Sequence, residues 1–146
     1  MIILKLIEQV VLSFISSVGF AIIMRVPKDS IVYSGISGAV GWLVYWLAGI
    51  VGISVTISTF LGAVTIAAVS YYFARHRHTP ATLYNIPGIV ALVPGGISYK
   101  MTYNLVIGEY NIAMFYGIRV LAIAGAIAGG LIVFDLARRN LRTKRV

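Results

Sequence analysis

Two Pro-Gly pairs, Pro87-Gly88 and Pro94-Gly95, stand seven residues apart in apolar sequence between Thr79 and Tyr103, and Gly96 extends the second. That interval is about two helical turns, so both pairs lie on one face of a helical segment. Each proline lacks an N–H, which deprives the carbonyl four residues earlier of its helical partner. Here those carbonyls belong to Leu83 and Val90. Gly95 and Gly96 add backbone freedom at the second pair. In water such a stretch is a loop. In a membrane it reads as a discontinuous helix, tolerated only where the opened backbone faces protein or a wet cavity.

The membrane reading has independent support. The chain is 60% hydrophobic and 11% charged, with mean hydropathy +0.95, which excludes an ordinary soluble domain. Its 146 residues hold four or five spans of about 20 residues each. We therefore expect one transmembrane bundle domain over residues 1–146, without an attached soluble domain. The net charge is +8, from 12 Lys+Arg against 4 Asp+Glu. In a chain this apolar the cations belong at helix ends, so nucleic acid is not expected as a partner. Cysteine is absent, which excludes disulfides and thiolate metal sites. Lys5 and Glu8 interrupt the first apolar run and no small-x-small cleavage site follows, so a retained first span is expected.

The fold class expected is all-α integral membrane, with about five transmembrane helices. Span one covers roughly 9–24 and ends at Arg25, Pro27, Lys28 and Asp29. Span two, roughly 31–50, carries Gly35, Gly38 and Gly41 at drifting i, i+3 positions. Span three, roughly 54–73, runs into Tyr71, Tyr72 and the basic stretch Arg75–His78, an interface signature. Span four, roughly 82–106, is broken by the Pro-Gly pairs. Span five, roughly 114–134, holds a Gly125–Gly129 pair whose spacing allows close helix approach.

With five spans and a cytoplasmic tail, nine cations fall in cytoplasmic connections: Arg25, Lys28, Arg75, Arg77, Arg138, Arg139, Arg142, Lys144 and Arg145. Only Lys5 falls outside, while Lys100 and Arg119 lie within spans. That asymmetry predicts the N-terminus outside and the C-terminus inside. It also favours a true crossing over re-entry for the broken segment.

Catalytic patterns are missing. There is no HExxH, GxSxG or P-loop, so no catalytic residue and no enzyme activity are expected. His76 and His78 lack an accompanying carboxylate or thiolate, and read as interface residues meeting anionic headgroups rather than metal ligands. Neither metal nor cofactor is expected. Glu8, Asp29, Glu109 and Asp135 all fall at or beyond span ends, so no mid-membrane acid is available to relay protons. Asp135 pairs with Arg139 one turn on. Lys100 and Arg119 can reach the interface by snorkelling, or line an anion path.

The runs His78-Thr79-Pro80-Ala81 and Ile86-Pro87-Gly88-Ile89-Val90-Ala91-Leu92-Val93-Pro94-Gly95-Gly96 resemble the threonine/serine exporter family. So do Val18-Gly19-Phe20-Ala21 and Val26-Pro27, and the length and span arrangement are similar to that family's short membrane subunit. The resemblance implies a bacterial-type inner-membrane protein working with a larger exporter-type membrane subunit. It also implies export of a small carboxylate-bearing substrate, threonine or serine or a dicarboxylate such as succinate. It carries no role for Lys100 or Arg119. Odd-numbered halves suggest inverted repeats around a midplane site.

On that basis the broken segment is the expected substrate site. A half-helix beginning near Ile97, after Pro94, Gly95 and Gly96, offers N–H groups and a positive dipole end to a carboxylate. The Leu83 and Val90 carbonyls, freed by Pro87 and Pro94 next to Gly88 and Gly95, could accept an ammonium. Tyr84, Asn85, Ser98, Tyr99 and Tyr103 can add hydrogen bonds. The competing reading is a membrane scaffold without transport, which would tolerate loss of the Pro-Gly pairs.

Overall fold

The computed structural model describes residues 2–143, with side chains over residues 4–140. The tail side chains of Arg142, Lys144 and Arg145 therefore lie outside the described residues. Within them the chain is all helical: α1 Ile2–Ile23, α2 Lys28–Ile50, α3 Val55–Arg77, α4 Thr82–Ile89, α5 Gly95–Val106 and α6 Tyr110–Thr143. A 3₁₀ turn, Val90–Leu92, prolongs α4. Four of these helices (α1, α2, α3 and α6) are long and apolar enough to cross a membrane. At 22 or 23 residues, the first three reach about 33–35 Å, close to the ~30 Å hydrocarbon thickness.

Four of the helices stop the same way. Arg25, Gly52, His78 and Gly108 take positive φ, and the next N–H reaches back five residues. These bonds are Val26 to Ala21 (3.0 Å), Ile53 to Ala48 (3.1 Å), Thr79 to Ala74 (3.0 Å) and Glu109 to Asn104 (2.9 Å). This is the left-handed cap that satisfies a helix's last carbonyls within the chain, which matters where no water can. Glycine supplies the conformation at one end of the bundle. At the other, Arg25 and His78 adopt it at a cost of about 1–2 kcal/mol each.

Small residues and hydroxyls, rather than large apolar side chains, hold the helices together. Among the described residues the buried apolar cluster is Ala63, Ile66 and Leu92, with the half-buried Trp42, Tyr45, Ile89 and Ile127 against it. Around it Ser30, Ser34, Ser37 and Ser70 are nearly inaccessible, and the Ser37 and Ser70 hydroxyls meet at 2.7 Å. That composition fits a medium in which apolar burial alone drives no association. Three of the four glycines of α2, Gly35, Gly38 and Gly41, face three neighbours, because an i, i+3 step turns a helix face by about −60°. A Cβ at Gly35 would lie 2.6 Å from Phe14 and Val18 on α1. One at Gly38 would meet Ser17 at 1.9 Å and the Gly88 carbonyl of α4 at 3.2 Å. One at Gly41 would meet Ile66 of α3 at 2.2 Å.

α6 packs along α3 most tightly at Gly130, and Gly129 of the expected pair is in ordinary contact, with its Cβ position 3.8 Å from Phe60. A Cβ at Gly130 would sit 2.8 Å from the Phe60 carbonyl and 2.9 Å from Ala63, whereas nothing lies within 4 Å of one at Gly125. Near this contact Ala126 and Gly130 are the buried small residues. The small-residue cluster meets α3 through Gly129 and Gly130, while Gly125 lies off the contact.

The segment from Thr82 to Val106 is two helices, and its Pro-Gly pairs behave differently. α4 continues through Pro87 to Ile89. The Leu83 carbonyl, which Pro87 leaves without a helical donor, accepts a hydrogen bond from the Ser34 hydroxyl at 2.8 Å. Gly88 permits the close approach, since its Cβ would fall 3.1 Å from Ile66 and 3.3 Å from Ser37. The interruption comes at the second pair. Val93 is extended (φ −63°, ψ 131°), as a residue preceding proline prefers. Pro94 (φ −78°, ψ 57°) forms an inverse γ-turn, closed by the Gly95 N–H to the Val93 carbonyl at 2.8 Å.

α4 and α5 then part company. α4 packs against α1, α2 and α3, whereas the main contact of α5 is α6. One cavity wall joins Ala81 and Asn85 to Asp135 and Arg138 of α6. Gly117, near the other end of α6, packs on Met101 of α5. The interrupted segment therefore runs antiparallel to α6 from one end of the bundle to the other.

Candidate functional site

At the interruption a cavity of about 430 Å³ opens between α2, α3, α5 and α6. Its floor is the chain from Ala91 to Ile97, and its walls carry Trp42, Tyr45, Thr59 and Tyr116. Two cations also line it, Lys100 from α5 and Arg119 from α6. A second recess of about 440 Å³ adjoins it, sharing Val55, Ile97, Arg119 and Ile123. No carboxylate lines either of them.

The backbone is open here because of the turn at Pro94. The Gly95 N–H is used within that turn, and the Ser98 N–H reaches the Pro94 carbonyl at 2.9 Å. Between them the N–H groups of Gly96 and Ile97 occupy the first turn of α5, where no intrahelical acceptor exists. A Cβ at Gly95 or Gly96 would meet nothing within 4 Å, and neither residue has positive φ. The glycines are thus not demanded by backbone strain. They leave the helix start bare, where a ligand can reach the peptide N–H groups.

The cations are held by aromatic faces. Lys100 Nζ lies 5.9 Å from the Tyr116 ring centre, and the Arg119 guanidinium 4.9 Å from that of Phe115. Such contacts position a cation without neutralising it. Two positive side chains, two open N–H groups and the positive end of a helix dipole converge on one cavity. The arrangement suits an anion.

The residues expected to form a single site separate into five groups. Pro94, Gly95, Gly96 and Ile97 line the cavity. Val90 and Ser98 flank it with their polar groups used locally: the Val90 carbonyl takes the Val93 N–H at 3.3 Å, and the Ser98 hydroxyl donates to the Pro94 carbonyl at 2.9 Å. Tyr84, Pro87 and Gly88 are buried in the bundle, and the Leu83 carbonyl is occupied by Ser34. The Tyr84 hydroxyl meets Thr79 at 2.8 Å and Ser30 at 3.4 Å. Tyr99 and Tyr103 stack on each other, 6.3 Å between ring centres, on the exposed side of α5. Asn85 lines a different cavity, toward the far end of α6.

Lys100 and Arg119 were absent from the residues singled out for binding. A signal for them existed. They lie nine residues before and ten after Glu109, so an antiparallel hairpin turning there sets them opposite one another.

An all-helical membrane bundle with a cation-lined cavity at an interrupted helix is the architecture of a transporter component. The profile of the threonine/serine exporter family, ThrE, matches residues 9–137, and the chain belongs to that family. It is also similar to an uncharacterized protein of Haemophilus influenzae, 24% identical over 103 residues. That match covers 70% of this chain and 35% of the relative, so the chain spans about a third of the relative's length. No solved structure matches.

Proposed function

We propose that the chain is the membrane half of an exporter for small carboxylate-bearing metabolites, threonine/serine-type amino acids or a dicarboxylate such as succinate. The observation that carries this reading is the convergence of Lys100, Arg119 and the open N–H groups of Gly96 and Ile97 on one cavity. A substrate carboxylate accepts hydrogen bonds from the N–H groups while the two side chains supply counter-charge. The Leu83 and Val90 carbonyls have partners inside the chain, so an amino acid's ammonium takes its acceptor from another wall of the path.

A larger membrane subunit supplies that wall. α5 has no buried residue, yet it carries Tyr99, Lys100, Thr102, Tyr103 and Asn104. Polar side chains on a helix surface are costly against lipid, so this face needs water or protein opposite it. The relative's additional length is in keeping with a second half carried elsewhere. The orientation follows the cations. Arg25, Lys28, Arg75, Arg77, Arg138 and Arg139 lie at or near one end, which we assign to the cytoplasmic side of the bacterial inner membrane, with the N-terminus outside.

Co-reconstitution tests the reading. Vesicles holding this chain and the larger subunit carry out saturable uptake of one substrate from a panel of threonine, serine and succinate, and vesicles with either chain alone do not. Assembly without flux of any panel member would leave the scaffold reading standing.

A further inference from the structure

A separate cavity, of about 420 Å³, lies between α3, α4 and α6 at the cation-rich end of the bundle. Its volume is within the range of about 300–1,000 Å³ typical of small-molecule sites. The walls are mostly apolar, with Ala67, Leu131 and Phe134 among them, and three kinds of polar group enter. From α4 comes Asn85, whose side-chain carbonyl oxygen is buried without a hydrogen-bond partner. From α6 come the Asp135 carboxylate and two guanidinium groups. Arg139 Nε donates to Asp135 Oδ2 at 2.9 Å, and Arg138 is ion-paired with Asp135 Oδ1. Arg138 also lies over the Tyr71 ring, 4.7 Å from its centre.

We propose that this cavity is a binding site for a small α-amino acid in its zwitterionic form, separate from the cavity at Pro94. The inference rests on the exporter reading and adds where the substrate is first received. A buried acceptor without a donor is unfavourable in a membrane bundle, and an ammonium group on the ligand removes that deficit at Asn85. The ligand's carboxylate is held by the guanidinium groups that α6 brings to the cavity wall, Arg138 and Arg139. Asp135 stays paired with Arg138 and places negative charge on the same wall, so a dianion is disfavoured. The two cavities thus differ in chemistry. The charged side chains lining the one at Pro94 are both cations, whereas this one balances an acid and an amide oxygen against two guanidinium groups.

The native chain has no cysteine, so a single reporter thiol can be placed on the cavity wall. Ala81→Cys, assembled with a cysteine-free larger subunit in inside-out vesicles, is alkylated by an impermeant maleimide. L-Threonine slows the reaction, whereas N-acetylthreonine, which lacks the ammonium, and succinate do not. Asn85→Ala raises the threonine concentration for half-protection about tenfold. Asn85→Asp, which keeps an acceptor, preserves protection and controls for folding. Absence of protection in a complex that transports threonine overturns this site and leaves the exporter reading intact. Protection without transport upholds the site and counts against that reading. A thiol that reacts only after delipidation, with threonine having no effect, assigns the cavity to an anionic lipid headgroup and overturns the proposal.

Discussion

Pro87-Gly88 and Pro94-Gly95 are the same dipeptide, placed seven residues apart in one apolar segment, yet α4 runs through the first and ends at the second. At the first, the Ser34 hydroxyl takes the role of the missing N–H, and a Cβ on Gly88 would press into Ile66 and Ser37. At the second, the backbone closes on itself in a γ-turn, and the glycines border open space. Proline interrupts a membrane helix according to whether a neighbouring side chain can replace the lost donor. Glycine marks a contact or an opening according to what its absent Cβ would meet. We take the first pair as structural and the second as the place where substrate meets the chain.

The sharpest way to break this comparison is to disturb the packed pair. Gly38→Val forces a Cβ to 1.9 Å from the Ser17 hydroxyl and 3.2 Å from the Gly88 carbonyl. We expect a loss of about 3 kcal/mol or more, seen as disappearance of the monodisperse peak in detergent size-exclusion chromatography. A wild-type peak would mean that α1, α2 and α4 are not closely packed there. Ser34→Ala comes next. It leaves the buried Leu83 carbonyl without its donor, and about 1–3 kcal/mol of stability is lost. An unchanged midpoint of thermal unfolding would show that another group serves Pro87.

A matched pair of small changes refines the contrast. Gly88→Ala lowers the unfolding midpoint, because its methyl must displace Ile66 or Ser37. Gly96→Ala meets no atom within 4 Å and gains up to about 1 kcal/mol of helix preference, so its midpoint holds or rises. Equal destabilisation at both positions would erase the difference between the pairs.

Much of this architecture is legible in the sequence because the membrane leaves few options. Apolar runs of span length, cations at one set of connections and prolines in pairs fix the helices, and Gly35, Gly38 and Gly41 of α2 mark close contacts. The site is less legible. Its parts come from α2, α3, α5 and α6, and which backbone groups stay open depends on partners distant in sequence. The Leu83 carbonyl looks available until Ser34, 49 residues earlier, is seen to occupy it. Lys100 and Arg119 look like separate snorkelling residues until the α5–α6 hairpin, set by Gly117 against Met101, brings them to one cavity. Gly130 rather than Gly125 makes the tightest α3 contact, beside Gly129, because helix rotation is set by the neighbour rather than by spacing alone.

The central claim is that the cavity at Pro94 receives the substrate carboxylate through Lys100, Arg119 and the first turn of α5. Its most direct test is substrate-dependent thermal stabilisation of the complex assembled with the larger subunit, comparing wild type with Lys100→Gln combined with Arg119→Gln. Both side chains are solvent-exposed within the chain, so the double variant should assemble and unfold like wild type without substrate. With threonine or succinate, whichever stabilises the wild type, the account predicts that the upward shift disappears. An undiminished shift at matched assembly would contradict it.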